Sequence, residues 1–263
     1  MGITVLQAAP RPPAKLLLKS ASALVLDQAT GQALLEKQAG AVQPIASLTK
    51  LMTAMVLLDA HLDPQEILTI TNDDKDILRH SKSRLPVGTR LPREQALLLA
   101  LLASENRAAH ALGRTFPGGL ATFVQAMNAK ARELGLEETK FEDPSGLSAG
   151  NVASAHDLAR IMEAAYRYPE IRDFTTRPET SIQAGRRSIQ FPNTNALVRS
   201  PRWTIGLSKT GYIEEAGRCL VMQAMLANRP VLIILLDSWG KYSRLGDANR
   251  IKQWLEARVG PKG

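Results

Sequence analysis

The sequence contains a single cysteine, Cys219, in a chain of 263 residues. One thiol cannot form a disulfide within the chain, and it cannot build a zinc site from cysteines. Cys219 lies in the apolar run Cys219-Leu220-Val221-Met222, which favours a small core residue over a reactive thiol. Cysteine therefore gives no information about the compartment in which the protein works.

Aromatic residues are also scarce, at 5% of the chain. Proteins that bind single-stranded nucleic acid need aromatic side chains on which bases stack, and no glycine-rich phosphate loop, zinc finger or aromatic-basic interleaving is present. The formal net charge of 33 − 25 = +8 suits an anionic partner, and a carboxylate-rich polymer satisfies it as well as nucleic acid does. Nucleic-acid binding is therefore the less favoured, non-enzymatic alternative.

Long apolar runs are missing as well. No run reaches the ~20 residues of a membrane-spanning helix. The first residues, Met1-Gly2-Ile3-Thr4-Val5, lack the basic region and the long apolar stretch of a signal peptide. Apolar residues at 44% and charged residues at 22% nevertheless indicate a folded domain. The chain is expected to be either cytoplasmic or the mature form of a secreted protein.

Two further patterns argue against rival chemistries. The four histidines show no metal-binding spacing, so no metal ion or other cofactor is expected. The segment Gly146-Leu147-Ser148-Ala149-Gly150 matches the G-x-S-x-G elbow of α/β-hydrolases, which requires a strand directly before it. The turn-forming Asp143-Pro144-Ser145 precedes it instead, which favours a glycine-rich loop.

Hydrophobic periodicity predicts a mixed α/β chain of the α+β type. A hairpin is expected over residues 22–37, and a helix is expected after Pro44. The middle of the chain, about 65–168, reads as mainly helical, with helices predicted over 93–114, 119–134 and 154–168.

Strands are predicted in the last third of the chain, over 203–207, 219–226 and 231–236, the last two pairing antiparallel. A closing helix follows, and its apolar face is expected to pack on the sheet. The order predicts an antiparallel sheet that takes strands from both ends of the chain. We interpret residues 1–263 as one domain, with a sheet subdomain (about 20–64 and 169–263) and an inserted helical subdomain (about 65–168).

Three short motifs occur in order: Ser47-Leu48-Thr49-Lys50, Ser104-Glu105-Asn106 and Lys209-Thr210-Gly211. An S-x-x-K motif alone arises by chance about once in a chain of this size, whereas K-T-G arises in roughly one such chain in twenty. A second S-x-x-K, Ser238-Trp239-Gly240-Lys241, follows a predicted strand and has no helix to carry it. The ordered set of three is therefore the informative signal.

The first motif has a clear chemical meaning if it lies on a helix. Residues three apart on a helix share one face, so Lys50 can reach Ser47. A serine hydroxyl needs a base to become a nucleophile, and lysine is a base only when neutral. Its pKa must then be lowered, either by burial or by a nearby cation such as Lys209. Backbone N–H groups at the start of the helix favour negative charge on a substrate oxygen.

With these motifs the chain resembles the low-molecular-mass penicillin-binding proteins, which are serine D-alanyl-D-alanine peptidases. Glu105 stands where the S-D-N motif of the family has aspartate, and no chemistry is assigned to it. The resemblance extends over most of the chain, and the segment from Lys209 to Leu220 is most similar to the endopeptidase branch. It implies the β-lactamase and transpeptidase fold, an antiparallel sheet flanked by helices with an inserted helical subdomain.

The resemblance implies a role for each residue of the first two motifs. Ser47 attacks the carbonyl of the penultimate D-alanine, and Lys50 is the base. Ser104 relays a proton to the leaving amine, and Asn106 holds the peptide amide of the substrate. The apolar pattern alone predicts one helix across 93–114, whereas the family has a turn at Ser104-Glu105-Asn106. We follow the family there, because catalytic side chains must face one cleft.

The third motif is implied to bind the substrate. Lys209, also assigned to the catalytic set, and Thr210 grip the substrate carboxylate. Gly211 lets the substrate lie close to the strand. The backbone N–H groups of Ser47 and Tyr212 form the oxyanion hole.

The resemblance implies a peptidoglycan hydrolase of the periplasm, with its signal peptide removed, that β-lactams inhibit covalently. We expect it to cut D-alanyl–diaminopimelate crosslinks as an endopeptidase, and no membrane-anchoring tail is expected. Removal of terminal D-alanine by a carboxypeptidase is the alternative, because both substrates carry a free carboxylate beside the scissile amide. A β-lactamase and a slowly acylated receptor rank lower, and no E-x-x-L-N segment of the class A β-lactamases is found in the helical half.

Overall fold

The computed structural model describes residues 16–185 and 187–259. The strands are β1 Ser20–Asp27, β2 Ala33–Lys37, β3 Gln43–Pro44, β4 Ile67–Thr69, β5 Arg90–Pro92, β6 Val152–Ala153, β7 Glu179–Ala184, β8 Arg187–Pro192, β9 Thr204–Ile213, β10 Gly217–Leu226 and β11 Arg229–Ser238. The α-helices are α1 Lys50–Asp59, α2 Arg93–Leu102, α3 Asn106–Arg114, α4 Gly119–Glu133, α5 Ala155–Ala165, α6 Pro169–Thr176 and α7 Ser243–Val259.

A five-stranded antiparallel sheet joins the two ends of the described chain in the order β2-β1-β11-β10-β9. β1 pairs with β11 in the register Leu24↔Ile234, and β10 pairs with both β11 and β9. The predicted hairpin and the predicted antiparallel pairing of the last strands are confirmed. β9 forms one edge of this sheet, which leaves its outer side free to face the helical part of the molecule.

Both faces of the sheet are covered. α7 packs its Ile251 and Leu255 against one face, as predicted for the closing helix. The other face contributes Val221, Leu232 and Ile234 to the main core, which it shares with the helices. Burial on both sides explains why residues 231–236 form an unbroken apolar run instead of alternating with polar residues.

α1 runs through the middle of the main core. All residues from Lys50 to Leu57 are buried, so the helix has no solvent-facing stripe on which an amphipathic pattern could show. A helix that is enclosed on all sides is a rigid base for the side chains at its N-terminal end. Among the helices of the described ranges, none combines the length and the apolar character needed to cross a membrane.

The structure corrects several predicted boundaries. The turn at Ser104-Glu105-Asn106, which we adopted from the family resemblance over the one helix of the apolar pattern, is present: it divides 93–114 into α2 and α3, and the φ of +58° at Ser104 is incompatible with a continuing helix. The strand predicted over 203–207 begins at Thr204 and continues to Ile213, so the K-T-G motif lies within it. The middle segment also contains strands β4, β5 and β6.

The β7–β8 hairpin and α6 were not predicted. The hairpin alternates exposed and partly buried residues, with only Ile182 and Phe191 fully buried, so its apolar signal is weak. α6 begins with Pro169 at its first turn, a typical helix start that a short sequence of mixed polarity conceals.

Candidate active site

Ser47 lies in a short 3₁₀ turn, Ala46–Thr49, that leads directly into α1. Ala46, the residue before it, has a φ of +48°, a left-handed conformation that costs an alanine about 1–2 kcal/mol. Such strain is typically retained where the surrounding structure needs a side chain in one place. Ser47 was predicted at the N-cap or in the first turn of the helix, and it lies just before the first α-helical residue.

Lys50 is fully buried, and its side-chain nitrogen contacts three oxygen atoms. Its Nζ lies 2.7 Å from Ser47 Oγ, 2.8 Å from Asn106 Oδ1 and 2.6 Å from the carbonyl oxygen of Ser145. Burial lowers the pKa of Lys50 to about 7, although the carboxylates of Asp143 and Glu105 act in the opposite direction. Of the two causes that the sequence left open, burial is therefore the larger.

These contacts fix which way the lysine lone pair faces. The carboxamide oxygen of Asn106 and the carbonyl oxygen of Ser145 can only accept hydrogen bonds. A neutral lysine amine has two N–H donors, and these two acceptors use both of them. The lone pair is then left for the third neighbour, the Ser47 hydroxyl, which is the orientation that a general base requires.

Ser104 and Asn106 flank the break between α2 and α3. Glu105 caps α3 by accepting a hydrogen bond from the backbone N–H of Arg107, and it also accepts one from the Ser83 hydroxyl at 2.6 Å. An acid is a good N-cap because the helix dipole favours negative charge there. The left-handed Ser104 reverses the chain direction, so that both motif side chains reach inward from one turn.

Lys209 connects β9 to this turn. Its Nζ donates to Ser104 Oγ at 2.9 Å and to the carbonyl oxygen of Thr210 at 2.9 Å. Burial, followed by the nearby positive charges of Lys50 and Arg244, holds the pKa of Lys209 well below its usual value. Thr210 donates to the Thr194 hydroxyl at 2.7 Å. The three predicted motifs thus meet at one place in the fold.

Two glycines allow backbone segments to approach Ser47. A Cβ on Gly211 would lie 3.1 Å from the backbone nitrogen of Ser47, so β9 passes directly beside it. A Cβ on Gly146, whose φ is +82°, would lie 2.0 Å from the carbonyl oxygen of Ala46. The next residue on β9, Tyr212, is 55% exposed.

Gly146→Ala is expected to destabilise the fold and to abolish the approach of the 143–148 loop to Ser47. The left-handed φ alone costs about 1–2 kcal/mol, and the overlap with the Ala46 carbonyl adds to it. Gly31→Ala is the matched control, because Gly31 has a φ of +72° and open space around it. Thermal unfolding of both variants checks this, and equal losses of stability would contradict it.

Four residues outside the three motifs complete the site and were not predicted. The carbonyl of Ser145 touches both Lys50 and Ser47, and Asp143 holds that loop by accepting from the N–H groups of Ser145 and Gly146. Ser81 accepts from Asn106 Nδ2 at 3.1 Å. Arg244 donates to the carbonyl of Gly211 at 2.7 Å. Of these, only the turn signal Asp-Pro-Ser-Gly was readable in the sequence.

A cavity of about 230 Å³ opens beside Ser104 and Asn106. Its lining combines the motif turn with two cationic side chains and the segment after β8: Lys82, Arg84, Ala103, Ser104, Glu105, Asn106, Phe191, Pro192, Asn193 and Thr194. Its two cations, Lys82 and Arg84, outnumber its one carboxylate, Glu105, so the lining suits a negatively charged ligand.

The rival serines lack comparable surroundings. Ser148 lies in a loop and donates to Glu142 at 2.7 Å, with no strand before it. Ser238 ends β11, and its hydroxyl lies 2.6 Å from that of Ser20, while Lys241 lies outside any helix. Within residues 16–185 and 187–259, no group of three or more histidine, cysteine or acidic side chains is placed to hold a metal ion.

A serine at the start of a buried helix, whose hydroxyl contacts a buried lysine of lowered pKa beside the edge strand of a sheet, defines a serine enzyme of the acyl-transfer class. Comparison with known proteins specifies it further. The sequence profile of the Peptidase S11 family, described as D-alanyl-D-alanine carboxypeptidase, matches residues 7–239, and the chain belongs to this family. It is therefore a serine peptidase, a hydrolase, and the resemblance found in its motifs is confirmed.

Individual relatives agree with this result. The chain is 44% identical over 259 residues to the D-alanyl-D-alanine endopeptidase of Pseudomonas aeruginosa, covering 96% of this chain and 84% of that one. It is 40% identical over 241 residues to the D-alanyl-D-alanine endopeptidase of Escherichia coli, covering 91% and 78%. Its fold matches the crystal structure of the Streptomyces K15 DD-transpeptidase with a TM-score of 0.84 at 26% identity, over 92% and 98% of the chains. The predicted fold class is confirmed.

Proposed function

We propose that this enzyme cuts D-alanyl amide bonds in the stem peptides of peptidoglycan through an acyl-enzyme, and that its substrates are D-alanyl–diaminopimelate crosslinks. The observation that carries the chemistry is the contact of 2.7 Å between the buried Lys50 amine and the Ser47 hydroxyl. The choice of an endopeptidase rests on the relatives at 40–44% identity, both of which bear that name.

In acylation, Ser47 Oγ attacks the carbonyl carbon of D-alanine as its proton passes to the lone pair of Lys50 Nζ. The developing oxyanion accepts hydrogen bonds from the backbone N–H groups of Ser47 and Tyr212. The carbon–nitrogen bond then breaks, and the proton on Lys50 passes to the leaving amine through the Ser104 hydroxyl, which returns Lys50 to its neutral form. Water later attacks the ester and gives a proton to Lys50, and Lys50 passes this proton to Ser47 Oγ as the ester bond breaks, which releases the peptide and restores both residues.

Asn106 can serve the lysine and the substrate at once. Its Oδ1 accepts from Lys50, and one of its two amide hydrogens is donated to Ser81. The second hydrogen remains for the carbonyl of the substrate peptide. The same residue would thus align the substrate and orient the base.

Lys209 and Thr210 would bind the free carboxylate beside the scissile amide. A buried lysine of lowered pKa regains its charge when an anion arrives, because the opposite charge favours the protonated form. Binding of the substrate carboxylate therefore favours the protonated, positively charged form of Lys209, which burial disfavours in the free enzyme. Gly211 would let the substrate lie along β9, since a side chain there would project into the gap beside Ser47.

The cavity beside Ser104 supports a leaving group larger than alanine. It has a volume of about 230 Å³, and its cations Lys82 and Arg84 outnumber its one carboxylate, Glu105. A diaminopimelate residue of a second stem peptide carries carboxylates that suit those cations. The same reasoning favours β-lactams as covalent inhibitors, since they present a carboxylate and a reactive amide to the same groups.

We also propose that the enzyme works in the periplasm, where its polymer substrate lies. In this proposal residues 1–263 form one peptidase domain, with the sheet subdomain at about 20–64 and 169–263 and the helical subdomain at about 65–168. Both subdomains contribute to the site: the helical subdomain carries Ser104 and Asn106, and the sheet subdomain carries Ser47 and Lys209.

A carboxypeptidase is the second candidate function, because the family description and relatives at 29–30% identity carry that name. Digestion of purified crosslinked muropeptide dimers beside a monomeric pentapeptide distinguishes the two functions. We expect the dimers to be cut to monomers. Release of D-alanine from the pentapeptide with the dimers left intact would overturn the endopeptidase proposal.

The rate of acylation is expected to rise with pH. The base is the neutral lysine, so the active fraction increases about tenfold per pH unit below the Lys50 pKa of about 7 and reaches a plateau above it. The second-order rate constant for benzylpenicillin acylation, measured from pH 5 to pH 9 by intact-protein mass, checks this. A rate that falls as pH rises through 7 would show that a protonated group is required instead.

A further inference from the structure

One ion pair joins the loop before β5 to the turn after β9. Arg79 Nη2 lies 2.8 Å from Glu215 Oε2, and the Arg79 and Glu215 side chains are 24% and 48% exposed. Arg79 Nε also donates to the carbonyl oxygen of Leu147 at 2.6 Å. The guanidinium therefore holds together three segments that are far apart in the chain.

Each of these segments also forms part of the site. Leu147 is two residues beyond Ser145, whose carbonyl touches Lys50 and Ser47. Ser81, which binds Asn106, is two residues beyond Arg79. Glu215 follows the end of β9, four residues after Gly211. The Arg79–Glu215 pair thus borders the site beyond Gly211, at the end of β9. Lys209 lies on the opposite side of Gly211 along the same strand.

The inference rests on the proposed function, which fixes the path of the substrate along β9. The substrate carboxylate lies at Lys209 and Thr210, and the scissile carbonyl lies at Ser47, beside Gly211. The residues before the scissile bond must then run along β9 towards Ile213 and the turn that contains Glu215. Two residues of an extended chain cover about 7 Å, so the residue preceding D-alanine comes close to this turn.

We propose that Arg79 and Glu215 form a subsite for a side chain that ends in an ammonium and a carboxylate on one carbon, carried by the residue before the scissile D-alanine. Diaminopimelate has this zwitterionic end. Arg79 would bind the carboxylate and Glu215 the ammonium, each group facing its opposite charge. A lysine in the same position offers the ammonium alone and leaves the Arg79 half of the subsite unfilled.

The Arg79–Glu215 ion pair can stay intact while it binds the ammonium and the carboxylate of such a side chain. Arginine has five N–H donors in a planar fork. The contacts to Leu147 and Glu215 use Nε and Nη2, so the two hydrogens on Nη1 are not needed for them. A carboxylate can therefore accept from Nη1 while the bridge stays closed, and the exposed half of Glu215 remains open to an ammonium.

The test compares kcat/KM for two crosslinked dimers whose donor peptide has either diaminopimelate or lysine before the scissile D-alanine. We expect the wild-type enzyme to prefer the diaminopimelate dimer by about tenfold. Arg79→Gln should remove this preference by slowing the diaminopimelate dimer more than the lysine dimer. Arg177→Gln, which breaks the exposed Arg177–Asp173 bridge, is the matched control and should leave the preference unchanged.

Glu215→Gln separates recognition from simple bracing. It breaks the same ion pair as Arg79→Gln, but it removes the partner of the ammonium, which both dimers carry, so it should slow both dimers alike and keep the preference. The same effect of Arg79→Gln and Glu215→Gln on the preference, or equal slowing of both dimers by Arg79→Gln, would overturn the subsite and leave a structural brace. If benzylpenicillin fails to acylate the wild-type enzyme, the proposed function itself has failed.

Discussion

Ser47→Ala is expected to abolish acylation by benzylpenicillin and to reduce peptide hydrolysis on the order of 10⁴-fold or more. The Ser47 hydroxyl is the group that Lys50 contacts at 2.7 Å, and alanine leaves no atom to form the ester. The fold should be retained, because the side chain is small and only partly buried. Intact-protein mass and circular dichroism together check both parts of this expectation.

Two other serines serve as controls for this result. Ser148→Ala tests the G-x-S-x-G segment, and Ser238→Ala tests the second S-x-x-K motif. Both variants should be acylated at the wild-type rate, since Ser148 contacts Glu142 and Ser238 contacts Ser20. An acylated Ser47→Ala enzyme, or a folded Ser148→Ala enzyme that cannot be acylated, would move the nucleophile elsewhere.

Lys50→Met is expected to slow acylation on the order of 10²–10⁴-fold, the usual contribution of a general base. Methionine keeps most of the side-chain volume in the core, so the helix should remain packed. The variant also removes the pH dependence centred near 7, because the titrating amine is gone. Acylation rates from pH 5 to pH 9, with thermal unfolding as the measure of fold, check this.

Lys241→Met is the matched control for Lys50→Met. Lys241 completes the second S-x-x-K motif, but it lies outside any helix and contacts the Tyr242 ring. Its replacement should leave the acylation rate and its pH dependence unchanged. A Lys50→Met enzyme that keeps both would show that another group takes the serine proton.

Contacts between residues close in the chain could be predicted from the sequence, whereas contacts between distant segments could not. The i to i+3 spacing of Ser47 and Lys50 predicts their contact, because helical geometry is local. The sheet was predicted as well, since its apolar strands near both ends of the chain carry strong local patterns. The break at Ser104 could not be predicted from periodicity, because an uninterrupted apolar pattern runs from α2 into α3 and only the left-handed φ of Ser104 divides it.

Local sequence patterns could not predict which residues contact Lys50. The Ser145 carbonyl lies 95 residues from Lys50 in the chain, and a backbone oxygen leaves no signature in residue type. The cause of the lowered Lys50 pKa was equally hidden, because burial depends on the whole core around α1. Arg244 and Ser81 reach the site from segments without a motif, so only the folded chain reveals them.

The central claim is that Ser47 forms an acyl-enzyme with the help of Lys50. The most direct measurement is the intact-protein mass after brief incubation with benzylpenicillin, followed over hours. We predict a persistent increase by one penicillin in the wild-type enzyme and no increase in Ser47→Ala. An unmodified wild-type enzyme with the antibiotic left intact would contradict the account, and rapid consumption of the antibiotic without an adduct would indicate a β-lactamase instead.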